Sequence, residues 1–194
     1  MNLPNKLTVL RMALVPVFLV FMLMDGMAHN YLWALFVFVI ASLTDLLDGK
    51  IARKQGLVTD FGKFMDPLAD KILVMAGMIC FVELGYAPAF VIVIILAREF
   101  LVTSLRLIAA GRGIVIAADK WGKYKTVCQM IWIIYTILVL WLLMNSGLVG
   151  AWDQGLWVAL RIPSDVLMWL SVILTVISGT NYVWKNRSCI SDMK

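Results

Sequence analysis

The sequence predicts an all-α membrane protein with six transmembrane helices and both termini in the cytoplasm. Three observations carry that prediction. Of 194 residues, 62% are apolar and 15% charged, and mean hydropathy is +0.92. A soluble domain is nearer half apolar and a quarter charged, so the excess apolar surface is expected to face lipid. The apolar residues gather into six runs, each close to the ~20 residues that a helix needs to cross the hydrocarbon core. Finally, the basic residues lie almost entirely on one side of those runs.

The predicted spans are roughly Leu7–Met24, Tyr31–Asp48, Pro67–Leu84, Pro88–Ile108, Thr126–Met144 and Val166–Trp184. They form a single domain, 1–194, with no internal repeat or long linker. The first run follows Lys6 and Arg11, as a secretory signal would. It continues Asp25-Gly26-Met27-Ala28-His29 without a small-residue cleavage site, so it is expected to be retained as a helix. Of the 17 Lys+Arg, all but Arg161 and the mid-span Arg98 lie at the termini or around the second and fourth connections. The positive-inside rule then places both termini in the cytoplasm. The net charge of +5 fits an anionic membrane surface and anionic ligands, and requires no nucleic-acid partner.

Cys80, Cys128 and Cys189 lack metal-ligand spacing and are read as packing residues. His29, the single histidine, is expected in an external loop with no role. The segment from Asn145 to Asp165 is expected to be the longest external loop. Most tryptophans and tyrosines read as interfacial belt or packing residues.

The chemistry is expected where charge enters the spans, because ionisable groups there are costly. The second span ends Asp45-Leu46-Leu47-Asp48-Gly49-Lys50-Ile51-Ala52-Arg53, and Asp45, Asp48, Gly49 and Ala52 share one helix face. Two carboxylates thus stand beside two very small residues that let a bulky group approach the backbone. The third span opens Gly62-Lys63-Phe64-Met65-Asp66-Pro67-Leu68-Ala69-Asp70-Lys71, and a helix there aligns Gly62, Asp66 and Asp70. Both pairs fall near the cytoplasmic boundary. Four converging carboxylates repel unless counter-charged, and Arg53, Lys50 and Lys71 are at hand. Oxygen-only ligands suit Mg²⁺ or Mn²⁺ better than Zn²⁺, and two such ions together can activate a nucleophile and stabilise a phosphoryl oxygen. Other readings exist residue by residue. Asp66 before Pro67 reads as a helix N-cap, and Asp45 with Asp48 as a charged interfacial edge.

The ordered pattern Asp45-x-x-Asp48-Gly49-x-x-Ala52-Arg53, eight residues, then Gly62-x-x-x-Asp66-x-x-x-Asp70 resembles the signature of the CDP-alcohol phosphotransferase family at every specified position. The resemblance extends over essentially the whole chain. Asn2-Leu3-Pro4-Asn5-Lys6-Leu7-Thr8-Val9-Leu10-Arg11, Ala97–Arg106 and Gly122–Gln129 resemble segments of bacterial members whose acceptor is glycerol 3-phosphate. It implies displacement of CMP from CDP-diacylglycerol by that alcohol, giving phosphatidylglycerophosphate. It implies Asp45, Asp48 and Asp66 as metal ligands, Asp70 as general base also touching metal, and two Mg²⁺ or Mn²⁺ ions per site. CDP-lipid contacts are implied at Asn5, Thr8, Gly49, Ala52, Arg53 and Thr59. A homodimer in the bacterial inner membrane, surrounded by lipid and with its site at the cytoplasmic face, is implied as well.

An acceptor phosphate needs cations. Arg98 and Arg106 lie eight apart on the fourth span, on one broad face, and Lys123 and Lys125 open the fifth. Together they are expected to form a phosphate cradle, arginine as a fork and lysine as a point charge. The resemblance implies acceptor-phosphate binding at the same four positions. Plainer readings are positive-inside anchoring for Lys123 and Lys125, snorkelling for Arg106, and a buried ion pair for Arg98. Glu99 is expected to pair with another helix, since adjacent residues do not face each other.

Three alternatives stay open at this point. The same reaction with inositol phosphate, serine or phosphatidylglycerol as acceptor keeps the carboxylate chemistry. A divalent-cation transporter would line a path through the bilayer with its carboxylates, whereas these gather at one boundary. A non-catalytic assembly protein would use the small residues for helix packing, without need of four aspartates.

Overall fold

A computed structural model of the chain describes residues 3–24, 26–55, 60–111, 120–145 and 154–187; the side chains of residues 3–5, 45–55, 60–67, 70, 145 and 154 lie outside that description. The described residues form six α-helices: α1 Leu3–Leu23, α2 Asn30–Gln55, α3 Asp60–Glu83, α4 Ala89–Gly111, α5 Lys120–Asn145 and α6 Gln154–Lys185. No strand occurs among the described residues.

The turns follow from local chemistry. Between α1 and α2 the backbone takes positive φ at Gly26 and His29, and Asn30 donates from Nδ2 to the Met24 carbonyl, tying the start of one helix to the end of the other. The end of α3 is a Schellman cap. Gly85 takes φ 71°, its N–H reaches the Val82 carbonyl, and the Tyr86 N–H reaches back to Phe81 at 2.7 Å.

Helix α1 packs on α2 and α3, α5 on α6 and α2, and α4 on α6; α3 bridges the halves by touching α4 and α5. The core sits where α1, α2, α3 and α5 converge. Phe18 meets Phe38 with ring centroids 5.7 Å apart, and Phe81 meets Trp132 edge-on at 5.5 Å. Gly77 of α3 faces Ile133 of α5 and Phe18 of α1, where a Cβ would make ordinary contacts at 3.4 and 3.7 Å. Phe36, Val93 and Leu107 point away from the bundle, as expected of side chains meant for lipid.

Among the described residues, three helices are long and apolar enough to cross a membrane, over Lys6–Leu23, Lys120–Met144 and Gly155–Lys185. The apolar part of α2, Asn30–Thr44, is shorter. Helix α4 has the length, but Arg98, Glu99 and Arg106 interrupt its hydropathy. Those interruptions prove to be the informative part of the helix.

Two expectations are corrected. Helix α6 begins at Gln154, so the outer connection is shorter than the segment Asn145–Asp165 read as loop. Pro163 lies inside the helix, in its third turn, and does not break it. Arg161 braces this turn: it bonds the Gly85 carbonyl, reaches Asp165 at 3.7 Å, and lies over the rings of Tyr86 and Trp157. His29, given no role, accepts a hydrogen bond from Trp141 Nε1 at 3.1 Å and pins the α1–α2 turn to α5.

Candidate functional site

Helix α2 runs unbroken through Asp45 and Asp48 to Gln55, and α3 starts again at Asp60. The two helices pack together and are joined only by residues 56–59. At 1.5 Å per residue, Asp48 and Asp66 lie about 10 Å from their helix ends, and Asp45 and Asp70 about 15 Å. The four positions therefore form two matched levels on adjacent antiparallel helices. Asp66 and Pro67 lie well inside α3, so Asp66 is not the cap of that helix. Gly62, Asp66 and Asp70 stand on one continuous helix, as the spacing required. The side chains of these aspartates, and those of Asn5, Gly49, Ala52 and Arg53, lie outside the described residues, as does Thr59 entirely. Four carboxylates at two matched heights, with no soft donor in the set, suit a hard divalent cation.

Thr8 is described and is buried on α1, a helix that packs on α2 and α3. Arg11, one turn further along the same face, is just as buried. It had been counted only as a basic flank; a cation inside an apolar run was the signal for more.

The cationic site is built around Glu99. Its Oε1 lies 2.8 Å from Arg98 Nη1 and 2.6 Å from Lys125 Nζ, while its Oε2 is 3.9 Å from Lys71 Nζ. Glu99 thus pairs with α3 and α5, as anticipated, and also with its own neighbour. The long guanidinium stem folds round the helix to reach it, although adjacent Cβ atoms diverge. Lys125 is 2% exposed, so its charge is held by the cluster rather than by water.

Arg98 is seated by small residues. Its Nη2 donates to Ser178 Oγ on α6. A Cβ on Gly122 would stand 3.5 Å from that Nη2, and a Cβ on Gly179 only 3.0 Å from Arg98 Cγ. Arg106, two turns on, bonds Tyr182 Oη through Nε at 3.2 Å and lies over the same ring. Both contacts advance along α4 and α6 in the same sense, so the two helices are parallel. Ser178 and Tyr182 thereby hold the two arginines, unmarked in the sequence because a serine and a tyrosine near a helix end are commonplace.

Of the four cations expected in one cradle, the structure gathers Arg98 and Lys125. Arg106 is exposed beside Tyr182, and Lys123 is exposed with no hydrogen bond or ion pair among the described residues. Two residues apart on a helix is about 200°, so Lys123 and Lys125 leave α5 on nearly opposite sides. Lys71 joins the cluster instead, and it directly follows Asp70 in α3. Through Lys71 the cationic cluster reaches the carboxylate-bearing helix α3.

Aspartate pairs on two adjacent helices, beside Lys71, Arg98 and Lys125 gathered on Glu99, characterise an all-helical protein of membrane type. The family model for CDP-alcohol phosphatidyltransferase matches residues 1–177, and the chain belongs to that family. Among its relatives is the CDP-diacylglycerol–glycerol-3-phosphate 3-phosphatidyltransferase of Bacillus subtilis (strain 168), 41% identical over 197 residues and covering 95% of each chain. The protein of the same name from Rickettsia typhi is 37% identical over 181 residues, covering 93% of this chain and 94% of that one. A probable phosphatidylglycerophosphate synthase of Mycobacterium tuberculosis (strain ATCC 25618 / H37Rv) is 40% identical over 186 residues, or 94% of this chain and 80% of its own.

Proposed function

We propose that the protein transfers the phosphatidyl group of CDP-diacylglycerol to sn-glycerol 3-phosphate, giving phosphatidylglycerophosphate and CMP. The observation that carries this reading is the junction at Lys71. One residue after Asp70, its ammonium reaches the Glu99 carboxylate that also holds Arg98 and Lys125. A carboxylate site for a metal-bound pyrophosphate and a cationic site for a second anion therefore adjoin, as a two-substrate phosphoryl transfer requires. Relatives at 37–41% identity whose names state this reaction support it.

In this reading Asp45, Asp48 and Asp66, with Asp70 at their edge, hold Mg²⁺ or Mn²⁺, two ions per site. Bound there, divalent metal neutralises pyrophosphate charge and stabilises departing CMP. Asn5, Thr8, Gly49, Ala52, Arg53 and Thr59 receive the CDP moiety, with Gly49 and Ala52 leaving room at the α2 backbone. Arg98 and Lys125 take the acceptor phosphate, and Arg106 and Lys123 line its approach. Asp70 accepts the proton of the acceptor hydroxyl as that oxygen bonds to the phosphatidyl phosphorus. The bond from this phosphorus to the CMP oxygen breaks, and CMP leaves with the electron pair. The acyl chains remain in lipid throughout.

The same proposal includes six spans with both termini in the cytoplasm, a site at the cytoplasmic face of the bacterial inner membrane, and a homodimer. The buried cations favour a phosphorylated acceptor over serine. The test is a panel of glycerol 3-phosphate, inositol phosphate, serine and phosphatidylglycerol, with the lipid product identified by mass spectrometry. Phosphatidylglycerophosphate from glycerol 3-phosphate alone is expected. Product from another acceptor alone would keep the reaction and replace the acceptor.

A further inference from the structure

Gln129 stands on α5 one helical turn beyond Lys125, so the two share a face of that helix. It is 2% exposed, and its amide Nε2 is buried without a hydrogen-bond partner. Arg98 Nε is a second such atom, although both terminal nitrogens of Arg98 are engaged. Buried donors left without an acceptor are uncommon and destabilising, and are retained where a ligand completes them.

One face of α5 carries Gln129 and the residues that meet Arg98 and Glu99. The α5 face that carries Gln129 also carries Gly122, where a Cβ would meet Arg98 Nη2 at 3.5 Å, and Lys125, bonded to Glu99. Depth along the bundle follows from two contacts. Lys71 and Lys125 meet at Glu99, and further along Gly77 packs on Ile133. Helices α3 and α5 therefore run side by side in the same sense. Gln129 falls between these levels, about 6 Å beyond Lys125 and about one turn past the level of Asp70. The charged groups at the Lys125 level call for an anion. The group one turn deeper is neutral, donor and acceptor at once, and matches a hydroxyl rather than a phosphate.

We propose that Gln129 is a specificity-determining residue of the acceptor site, reading the hydroxyl that does not react, the middle hydroxyl of glycerol 3-phosphate. The inference rests on the acceptor assignment made above. With the phosphate drawn to Arg98 and Lys125 and the terminal hydroxyl toward Asp70, the middle carbon presents its hydroxyl to the Gln129 amide. A site built to bond a substrate hydroxyl discriminates against the analogue that lacks it, because its own polar group is then left unpaired.

The experiment compares the wild type with Gln129→Met on two acceptors, glycerol 3-phosphate and 3-hydroxypropyl phosphate. The second keeps the phosphate and a terminal hydroxyl but lacks the middle one. The wild type is expected to favour glycerol 3-phosphate about tenfold or more in kcat/KM, and Gln129→Met to bring that ratio to about one, chiefly by losing activity on glycerol 3-phosphate. If Gln129→Met does not accumulate as folded protein, Gln129→Asn, which keeps a neutral amide but withdraws it by one methylene, is expected to show the same loss of preference. Equal loss on both acceptors would make Gln129 a packing residue and overturn the inference, as would a wild type without preference. No turnover of glycerol 3-phosphate by the wild type would overturn the acceptor assignment itself, and this inference with it.

Discussion

Lys125 and Glu99 meet at 2.6 Å across the boundary between α5 and α4, and the same carboxylate keeps its second oxygen 3.9 Å from Lys71 on α3. One anion thus joins three helices and gathers cations that would otherwise repel. Removing one partner of a buried pair costs roughly 3–5 kcal/mol, because the other charge is left behind. Glu99→Gln is therefore expected to lower the melting temperature in detergent and to raise the KM for glycerol 3-phosphate by about tenfold or more. The KM for CDP-diacylglycerol is expected to stay within about twofold. Steady-state kinetics with each substrate varied in turn checks the split; equal changes would deny Glu99 its place on the acceptor side.

Arg106 is exposed and reaches the bundle only through Tyr182 among the described contacts. Its replacement should cost little stability. Arg106→Ala is expected to leave the melting temperature nearly unchanged and to raise the acceptor KM several-fold, by about 1 kcal/mol of lost charge-assisted contact. A larger effect on the donor would move Arg106 out of the acceptor path.

Gly179 tests the seat of Arg98 without touching a charge. A Cβ there would lie 3.0 Å from Arg98 Cγ, so the guanidinium stem must move. Gly179→Val is expected to raise the acceptor KM more than Gly179→Ala does, with donor KM little affected in either. The graded pair is measured side by side under saturating CDP-diacylglycerol.

His29 gives the contrasting case. It accepts from Trp141 Nε1 at the end of the bundle away from the carboxylates. His29→Ala is expected to cost about 1 kcal/mol, seen as a melting temperature lower by a few degrees, and to leave kcat/KM unchanged for both substrates. Altered kinetics would show that the α1–α2 turn communicates with the site.

Much of this was legible in the sequence, for identifiable reasons. The six helices announce themselves as apolar runs, and Asp45, Asp48, Asp66 and Asp70 are conspicuous because carboxylates are expensive in such runs. Helix continuity through Pro67 makes the spacing of Gly62, Asp66 and Asp70 a real alignment. What escaped depends on side-chain reach and on facing helices. Glu99 bonds Arg98 because a long stem folds back, which residue spacing alone does not convey. Lys123 and Lys125 read as one pair in a string of letters, yet a helix turns them apart. The segment Asn145–Asp165 read as a loop where Arg161, lying over the rings of Tyr86 and Trp157, braces a helix. Ser178 has no signal of its own; only the arginine opposite gives it a role.

The central claim is that the matched carboxylates on α2 and α3 serve phosphatidyl transfer to glycerol 3-phosphate. The most direct measurement is CMP release by purified protein in detergent supplied with CDP-diacylglycerol, glycerol 3-phosphate and Mg²⁺, repeated with chelator and with Asp70→Asn. The account predicts acceptor-dependent release that chelation abolishes and metal restores. It predicts that Asp70→Asn lowers kcat by about a hundredfold or more, in line with loss of a general base, while CDP-diacylglycerol still binds. CMP release that persists undiminished in chelator or in Asp70→Asn, from folded protein, would contradict it.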